Sequence, residues 1–228
     1  MRITLSARGW IACVVLLGWA FSASGVPLGE RIELAAGAVD TSDAGAAGWR
    51  AADGRAAAAD LSAVAGDGSD STTWAILVAA GSGERLGADR PKAFVALGGR
   101  VLLAESLERL DASAWIDAVV VAVPADWEEA AIVLAEELVA SKVAAVVTGG
   151  RTRGDSVRAA LAEIPDDALV VVVHDAARPL VDDGVVERVL APLAEGYDGV
   201  VPGLPLADTV KRVEGGVVAA TVDRSALV

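Results

Sequence analysis

The chain concentrates its means for anion chemistry in Ala79-Ala80-Gly81-Ser82-Gly83-Glu84-Arg85-Leu86-Gly87, followed closely by Arg90-Pro91-Lys92. Glycines let backbone N–H groups approach a ligand, and concave runs of such amides favour anions. Arg85 and Lys92 add fixed positive charge close behind. The combination suits a nucleoside triphosphate. Two commoner phosphate-binding patterns are excluded by spacing. The dinucleotide fingerprint G-x-G-x-x-G needs a glycine where Leu86 stands. The P-loop needs a Gly-Lys pair, and the sequence contains none.

Other chemistries find little support. The one histidine, His174, rules out histidine-rich metal sites and argues against a Ser–His hydrolase; it is read as orienting a loop by hydrogen bonding. The one cysteine, Cys13, permits neither an intrachain disulfide nor a cysteine-based zinc site. Glu128, Glu129, Glu136 and Glu137 read as the solvated face of a helix, and Arg151 and Arg153 as exposed. A formal net charge of −13 argues against a general surface for nucleic acid or anionic membrane. An acidic chain still binds anions where its few basic residues converge.

The elements that must position these groups begin at Trp74. Aliphatic strands over 74–79, 116–123, 143–148, 168–174 and 198–202 alternate with helices over about 102–112, 127–140, 155–164 and 182–193. Continuous apolar runs such as Ala118-Val-Val-Val-Ala-Val123 predict burial on both faces, as in a mostly parallel sheet. The alternation predicts a doubly wound α/β domain, with its ligand beyond the carboxyl ends of the strands. The glycine loop lies at one such end and His174-Asp175 at another. The last segment departs from this rhythm. Asp208 to Val213, Glu214-Gly215-Gly216 and Val217 to Val222 predict a projecting two-stranded arm that needs a partner for stability.

The region before Trp74 is of another kind. Residues 1–25 resemble a secretory signal: Arg2 and Arg8 lead, Trp10 to Phe21 is apolar, and Ser22-Ala23-Ser24 resembles a cleavage site. The apolar run is too short for a stable membrane span. Residues 26–73 are rich in Ala, Gly, Asp and Ser and read as low-complexity linker, with room for one short helix around Arg50–Val64. An equally weighted reading takes the first 73 residues as translated from a misplaced start.

Four further strings accompany the glycine loop: Gly149-Gly150-Arg151-Thr-Arg153-Gly-Asp155-Ser156-Val157, Val173-His174-Asp175-Ala176-Ala177-Arg178-Pro179, Pro205-Leu-Ala-Asp208-Thr209-Val-Lys211, and Thr221-Val-Asp223-Arg224. In this order, from Trp74 to the end, they resemble the 2-C-methyl-D-erythritol 4-phosphate cytidylyltransferase family of the non-mevalonate isoprenoid pathway. His-Asp-Ala-Ala-Arg-Pro is the most specific single string.

The resemblance implies a nucleotide-diphospho-sugar transferase-like fold and an enzyme that couples CTP to methylerythritol phosphate, releasing pyrophosphate, with magnesium as its divalent metal. It implies that Ala79, Ala80, Gly81 and Gly83 hold CTP, with Gly150, Ser156 and Ala176 on the cytosine and ribose side. Arg85 and Lys92 would flank the α-phosphate and stabilise the transition state. Asp175 would lie near the metal and the substrate. Arg178, Thr209 and Arg224 would position methylerythritol phosphate, Arg224 also serving catalysis, across a homodimer interface made by the 203–228 arm. No nucleic-acid partner is implied, and the location is cytoplasmic, against the signal-like start.

The resemblance also implies a continuation beyond Val228, through a Thr-Pro-Gln segment and a later basic residue, so the chain is expected to be C-terminally incomplete. Two rivals remain open. One is a cytidylyltransferase for another polyol phosphate, such as ribitol 5-phosphate; Asp208-Thr209-Val-Lys211 and Thr221-Val-Asp223-Arg224 favour methylerythritol phosphate. The other is a nucleotide-binding module made inactive by truncation.

Overall fold

The computed structural model describes residues 12–16, 46–49, 73–83, 89–195, 197, 199–225 and 227. In chain order its strands and helices are β1 (Ala12–Leu16), β2 (Ala46–Trp49), β3 (Thr73–Val78), β4 (Ala96–Leu97), β5 (Arg100–Val101), α1 (Leu102–Ala112), β6 (Ala118–Val123), α2 (Glu128–Glu137), β7 (Val143–Thr148), α3 (Arg153–Leu161), β8 (Val170–Asp175), α4 (Asp183–Leu190), β9 (Gly199–Pro202), β10 (Lys211–Glu214) and β11 (Val217–Thr221). Seven of the described strands form one sheet in the order β2-β9-β1-β8-β3-β6-β7. All neighbouring pairs are parallel except the edge pair β2–β9. The expected doubly wound, mostly parallel architecture is therefore present.

The aliphatic runs explain the layers. Alternate residues of a strand face opposite sides of the sheet. Ala75, Leu77, Val119, Val121, Val170 and Val172 pack with Leu103, Leu107 and Leu110 of α1, Ala131 and Ala135 of α2, and Val186 and Val189 of α4. Ile76, Val120, Ala122, Val171 and Val173 face the other way, onto Val157 and Ala160 of α3. Each such Val or Leu contributes about 1.5–3 kcal/mol when fully buried.

With both faces apolar, polarity alone does not set strand register. Polar contacts at the strand ends do. Thr73 N–H donates to Asp117 Oδ2 at 2.6 Å, and Asp117 N–H donates back to Thr73 O at 2.9 Å. Lys142 N–H donates to Asp111 Oδ1 at 2.7 Å, and its Nζ to Ser113 O at 2.6 Å.

Strand β1 comes from the stretch read as signal-like and lies between β8 and β9; β2 comes from the stretch read as linker. The short helix considered around Arg50–Val64 lies outside the described residues. Helix α3 begins two residues earlier than the pattern predicts, because Thr152 and Asp155 form a reciprocal capping box. Helix α4 ends at Leu190, and the expected last turn tightens into a 3-10 helix over Ala191–Glu195.

Candidate active site

Strand register brings four carboxyl ends to one edge. Val78 pairs with Asp175 on one side and Ala122 on the other, and Val123 pairs with Thr148. The loops leaving these ends are stitched to the sheet: Ala79 N–H to Ala122 O at 2.7 Å, Gly149 N–H to Val123 O at 2.6 Å, and Ala176 N–H to Val78 O at 3.0 Å. The chain runs from β3 to β6 and β7 on one side, then returns to β8 on the other. That reversal opens a crevice between the ends of β3 and β8, where parallel α/β sheets bind ligands.

The glycine loop forms one wall. Ala79 is buried, Ala80 half-buried, and Gly81 and Ser82 exposed. Gly83 takes φ +73°, and an added Cβ would lie 3.1 Å from Lys92 Cβ, so both conformation and space call for glycine. Lys92 N–H donates to Gly81 O at 3.2 Å, fastening the loop to the start of the 3-10 turn Lys92–Phe94. Phe94 anchors that turn with its ring 4.4 Å from Trp127. Lys92 is thereby held beside the loop, with its side chain half-buried. Arg85 lies outside the described residues.

The second wall is the β7–α3 turn. Ser156 is buried; its hydroxyl accepts from Gly150 N–H at 3.1 Å and donates to Thr152 O at 3.1 Å. Ser156 thus shapes the Gly149-Gly150 turn from within. Beyond it, Arg153 Nε donates to Asp175 Oδ1 at 2.9 Å, and Arg178 Nε lies 3.6 Å from Asp175 Oδ2. Arg153 is exposed, as its segment predicts, yet it reaches the crevice. Gly149, to which the sequence motifs attach no role, lies against Ala80 of the glycine loop. The Thr152-x-x-Asp155 pattern was the available signal, since a capping box fixes where α3 starts and where its first side chain stands.

The third wall is His174 to Arg178. The ring of His174 is buried, with Nε2 3.0 Å from Arg178 O; Nδ1 has no hydrogen-bond partner among the described residues. Burial holds its pKa below the ordinary histidine range, against the raising effects of the Arg178 carbonyl and Asp175. A neutral ring donating Nε2–H to Arg178 O suits the loop-orienting role expected of it. Ala176 is buried beneath the loop, and its carbonyl accepts from Ser106 Oγ at 2.9 Å.

The crevice therefore gathers Ala79, Ala80, Gly81, Gly83, Lys92, Gly150, Ser156, Asp175, Ala176 and Arg178. Thr209 and Arg224 sit on the arm segment, both exposed, and Arg224 Nη1 donates to Ala207 O. Strands β10 and β11 are exposed along their whole length and close on Gly215 and Gly216 with φ +58° and +80°, the hairpin turn that glycine favours. Among the acids read as a solvated helix face, Glu128 is half-buried and accepts from Thr148 Oγ1, which holds its carboxyl below the usual range.

Comparison with known proteins agrees with this geometry. A family model described as IspD, 2-C-methyl-D-erythritol 4-phosphate cytidylyltransferase, matches residues 73–228. The chain is 46% identical over 159 residues to the 2-C-methyl-D-erythritol 4-phosphate cytidylyltransferase of Nocardia farcinica, covering 69% of this chain and 67% of that one. It is 48% identical over 157 residues to that of Saccharopolyspora erythraea, covering 67% and 69%. The match to the Frankia casuarinae protein covers 51% of that protein, so the chain spans about half to two thirds of its curated relatives. A crystal structure of a 4-diphosphocytidyl-2C-methyl-D-erythritol synthase matches with TM-score 0.52 and 27% identity, over 68% of this chain and 70% of that one. The Anaerococcus prevotii synthase matches with TM-score 0.55 over 68% and 64%, and at 22% identity it speaks for the fold alone.

Proposed function

The chain belongs to the 2-C-methyl-D-erythritol 4-phosphate cytidylyltransferase family, and from that premise we propose that it joins CTP to methylerythritol phosphate. The products are 4-diphosphocytidyl-2-C-methyl-D-erythritol and pyrophosphate, and the reaction belongs to isoprenoid precursor synthesis. The observation that carries this reading is the convergence of the Ala79–Gly83 loop, Lys92, the Gly149-Gly150 turn and Asp175–Arg178 at one strand-end crevice.

A phosphate oxygen of methylerythritol phosphate attacks the α-phosphorus of CTP. A new P–O bond forms as the bond to the bridging oxygen breaks, and pyrophosphate carries the electron pair away. The second pKa of a phosphate monoester is about 6, so the nucleophile is already ionised at neutral pH. No general base is required. The work left to the protein is alignment and charge neutralisation. We assign the first to the backbone of Ala79 to Gly83 and the Gly150 turn, with Ser156 acting by holding that turn. We assign the second to Lys92 and Arg85. Arg178, Thr209 and Arg224 would hold the acceptor phosphate, the last two from the arm of a second subunit.

Asp175 is the protein group suited to magnesium. Among the described residues no three His, Cys, Asp or Glu side chains cluster as a protein-made metal site. Magnesium needs none, since it is held by one or two carboxylates together with substrate phosphates. Of the Asp175 carboxylate, Oδ1 is bonded to Arg153 while Oδ2 lies 3.6 Å from Arg178 Nε, too long for a hydrogen bond, so Oδ2 is the oxygen that fits that mode. When bound, the metal would neutralise charge on the triphosphate. No described helix is long and apolar enough to cross a membrane; the supply of CTP argues for the cytoplasm.

The test is pyrophosphate release by the full chain from CTP and magnesium, with methylerythritol 4-phosphate or ribitol 5-phosphate as acceptor. Release that depends on methylerythritol phosphate supports the assignment. Release with ribitol phosphate alone moves the chain to the other acceptor. No release from folded protein leaves it a member of the family without the activity.

A further inference from the structure

We propose that Arg153 is a positioning residue for the Asp175 carboxylate, tying the turn on the nucleotide side of the crevice to the loop on the acceptor side. The proposal rests on the cytidylyl-transfer reading of this crevice. Arg153 is the first residue of α3, and its place is fixed from both sides. Thr152 Oγ1 accepts from Asp155 N–H at 3.1 Å, and Thr152 N–H donates to Asp155 Oδ2 at 3.2 Å. From there Nε donates to Asp175 Oδ1 at 2.9 Å. The Arg178 Nε to Asp175 Oδ2 contact, at 3.6 Å, is too long for a hydrogen bond. Arg153 therefore holds one carboxylate oxygen and leaves the other turned toward Arg178.

The pair is partly exposed, with the Arg153 side chain at 37% and Asp175 at 18%. Ion pairs of this exposure contribute little to stability, so the consequence of this one is orientation. It spans the sheet as well: β7 and β8 are separated by β6 and β3, and only α3, lying across that face, brings residue 153 to residue 175. Lysine cannot replace it, because a single ammonium lacks the fixed Nε–H direction of the guanidinium.

The experiment is a double-mutant cycle in the full chain with Arg153→Met, Asp175→Asn and the double variant. The primary readout is affinity for CTP with magnesium, followed by pyrophosphate release, with melting curves and the Arg Nε–H NMR resonance alongside. Removal of an orienting partner of this kind costs roughly 10–100-fold in affinity or activity. We expect that loss for Arg153→Met with an unchanged melting curve, little recovery in Arg153→Lys, and displacement of the Arg153 Nε–H resonance in Asp175→Asn. In the Asp175→Asn background, Arg153→Met should change affinity by less than about twofold, since residues acting through one another are non-additive. A neutral Arg153→Met, or an equal loss in both backgrounds, overturns the proposal. A wild-type chain that binds CTP but releases no pyrophosphate defeats the functional reading alone, and the cycle is then decided on binding. A wild-type chain that binds no CTP overturns both.

Discussion

A β-carbon on Gly149 would stand 2.3 Å from the Cβ of Ala80. The β7–α3 turn and the glycine loop after β3 thus occupy adjoining space, closer than any other residue at position 149 would allow. Gly150 is confined from the opposite side, where its Cβ would meet that of Asp155 at 2.2 Å. Two consecutive glycines let the turn pass between the loop and the first turn of α3.

Gly149→Ala tests this contact. Nothing flexible lines the clash: the added methyl would also lie 2.9 Å from Ser156 Oγ and 3.2 Å from Val123 O. Overpacking of this kind costs about 1–3 kcal/mol. Urea unfolding should show that loss, with weaker CTP binding because the displaced element is the glycine loop. Ala80→Gly in the same chain should recover part of it. Full stability and affinity in Gly149→Ala would show that the two loops separate freely.

Lys92 carries the largest expected loss in rate. Its backbone fastens the glycine loop through Gly81 O, and alanine keeps that N–H in place. Lys92→Ala therefore removes charge with little change to the loop. Loss of one preorganised donor to a developing charge costs roughly 10²–10³ in rate, and steady-state pyrophosphate release should fall by that factor or more with an unchanged unfolding curve. Near-normal turnover removes Lys92 from the mechanism.

The fold and much of the crevice were legible in the sequence; the cross-sheet contacts were not. Short, valine-rich apolar runs such as Ala118 to Val123 point to strands buried on both faces, and glycines after a strand with a lysine nearby point to an anion loop. The pairing of Arg153 with Asp175 leaves no such trace. The two are 22 positions apart; Asp175 stands out at its strand end, but nothing in the segment around Arg153 marks it as its partner. They meet because β8 returns to the far side of β3, and strand order is not encoded in local periodicity. Ser156 is singled out by the family resemblance alone, since its own segment shows only a polar residue at a helix start. Its burial, and its hydrogen bonds to Gly150 and Thr152, depend on how tightly the turn closes over it.

His174 makes stability depend on pH in a window no other side chain ordinarily occupies. It is the single histidine, and histidine alone normally titrates between pH 5 and 8. Burial lowers its folded pKa, so the folded chain refuses a proton that the unfolded chain accepts below about pH 6.5. Its contribution is whole above that pH and is lost as pH falls toward the folded value, with a slope of at most about 1.4 kcal/mol per pH unit. Urea unfolding at pH 7.5, 6.5 and 5.5 should show the decline, and His174→Gln should flatten it. An equal slope in the variant would assign the decline to the carboxylates.

The arm supplies the last prediction. A lone two-stranded hairpin is marginal in water, and this one exposes Val213, Val217 and Val218 at 58%, 69% and 57%. Lys211 Nζ donates to Thr221 Oγ1 and braces its open end at 2.6 Å, but the valines toward the turn have no cover among the described residues. A second copy of the chain would cover them and would set Thr209 and Arg224 beside its partner's crevice. Val217→Lys with Val218→Lys should then shift sedimentation equilibrium from dimer to monomer. Turnover should fall with it, through a higher KM for methylerythritol phosphate, while CTP binding in the crevice is largely kept. A variant that stays dimeric, or a wild-type chain that is monomeric yet fully active, would place acceptor binding within one subunit.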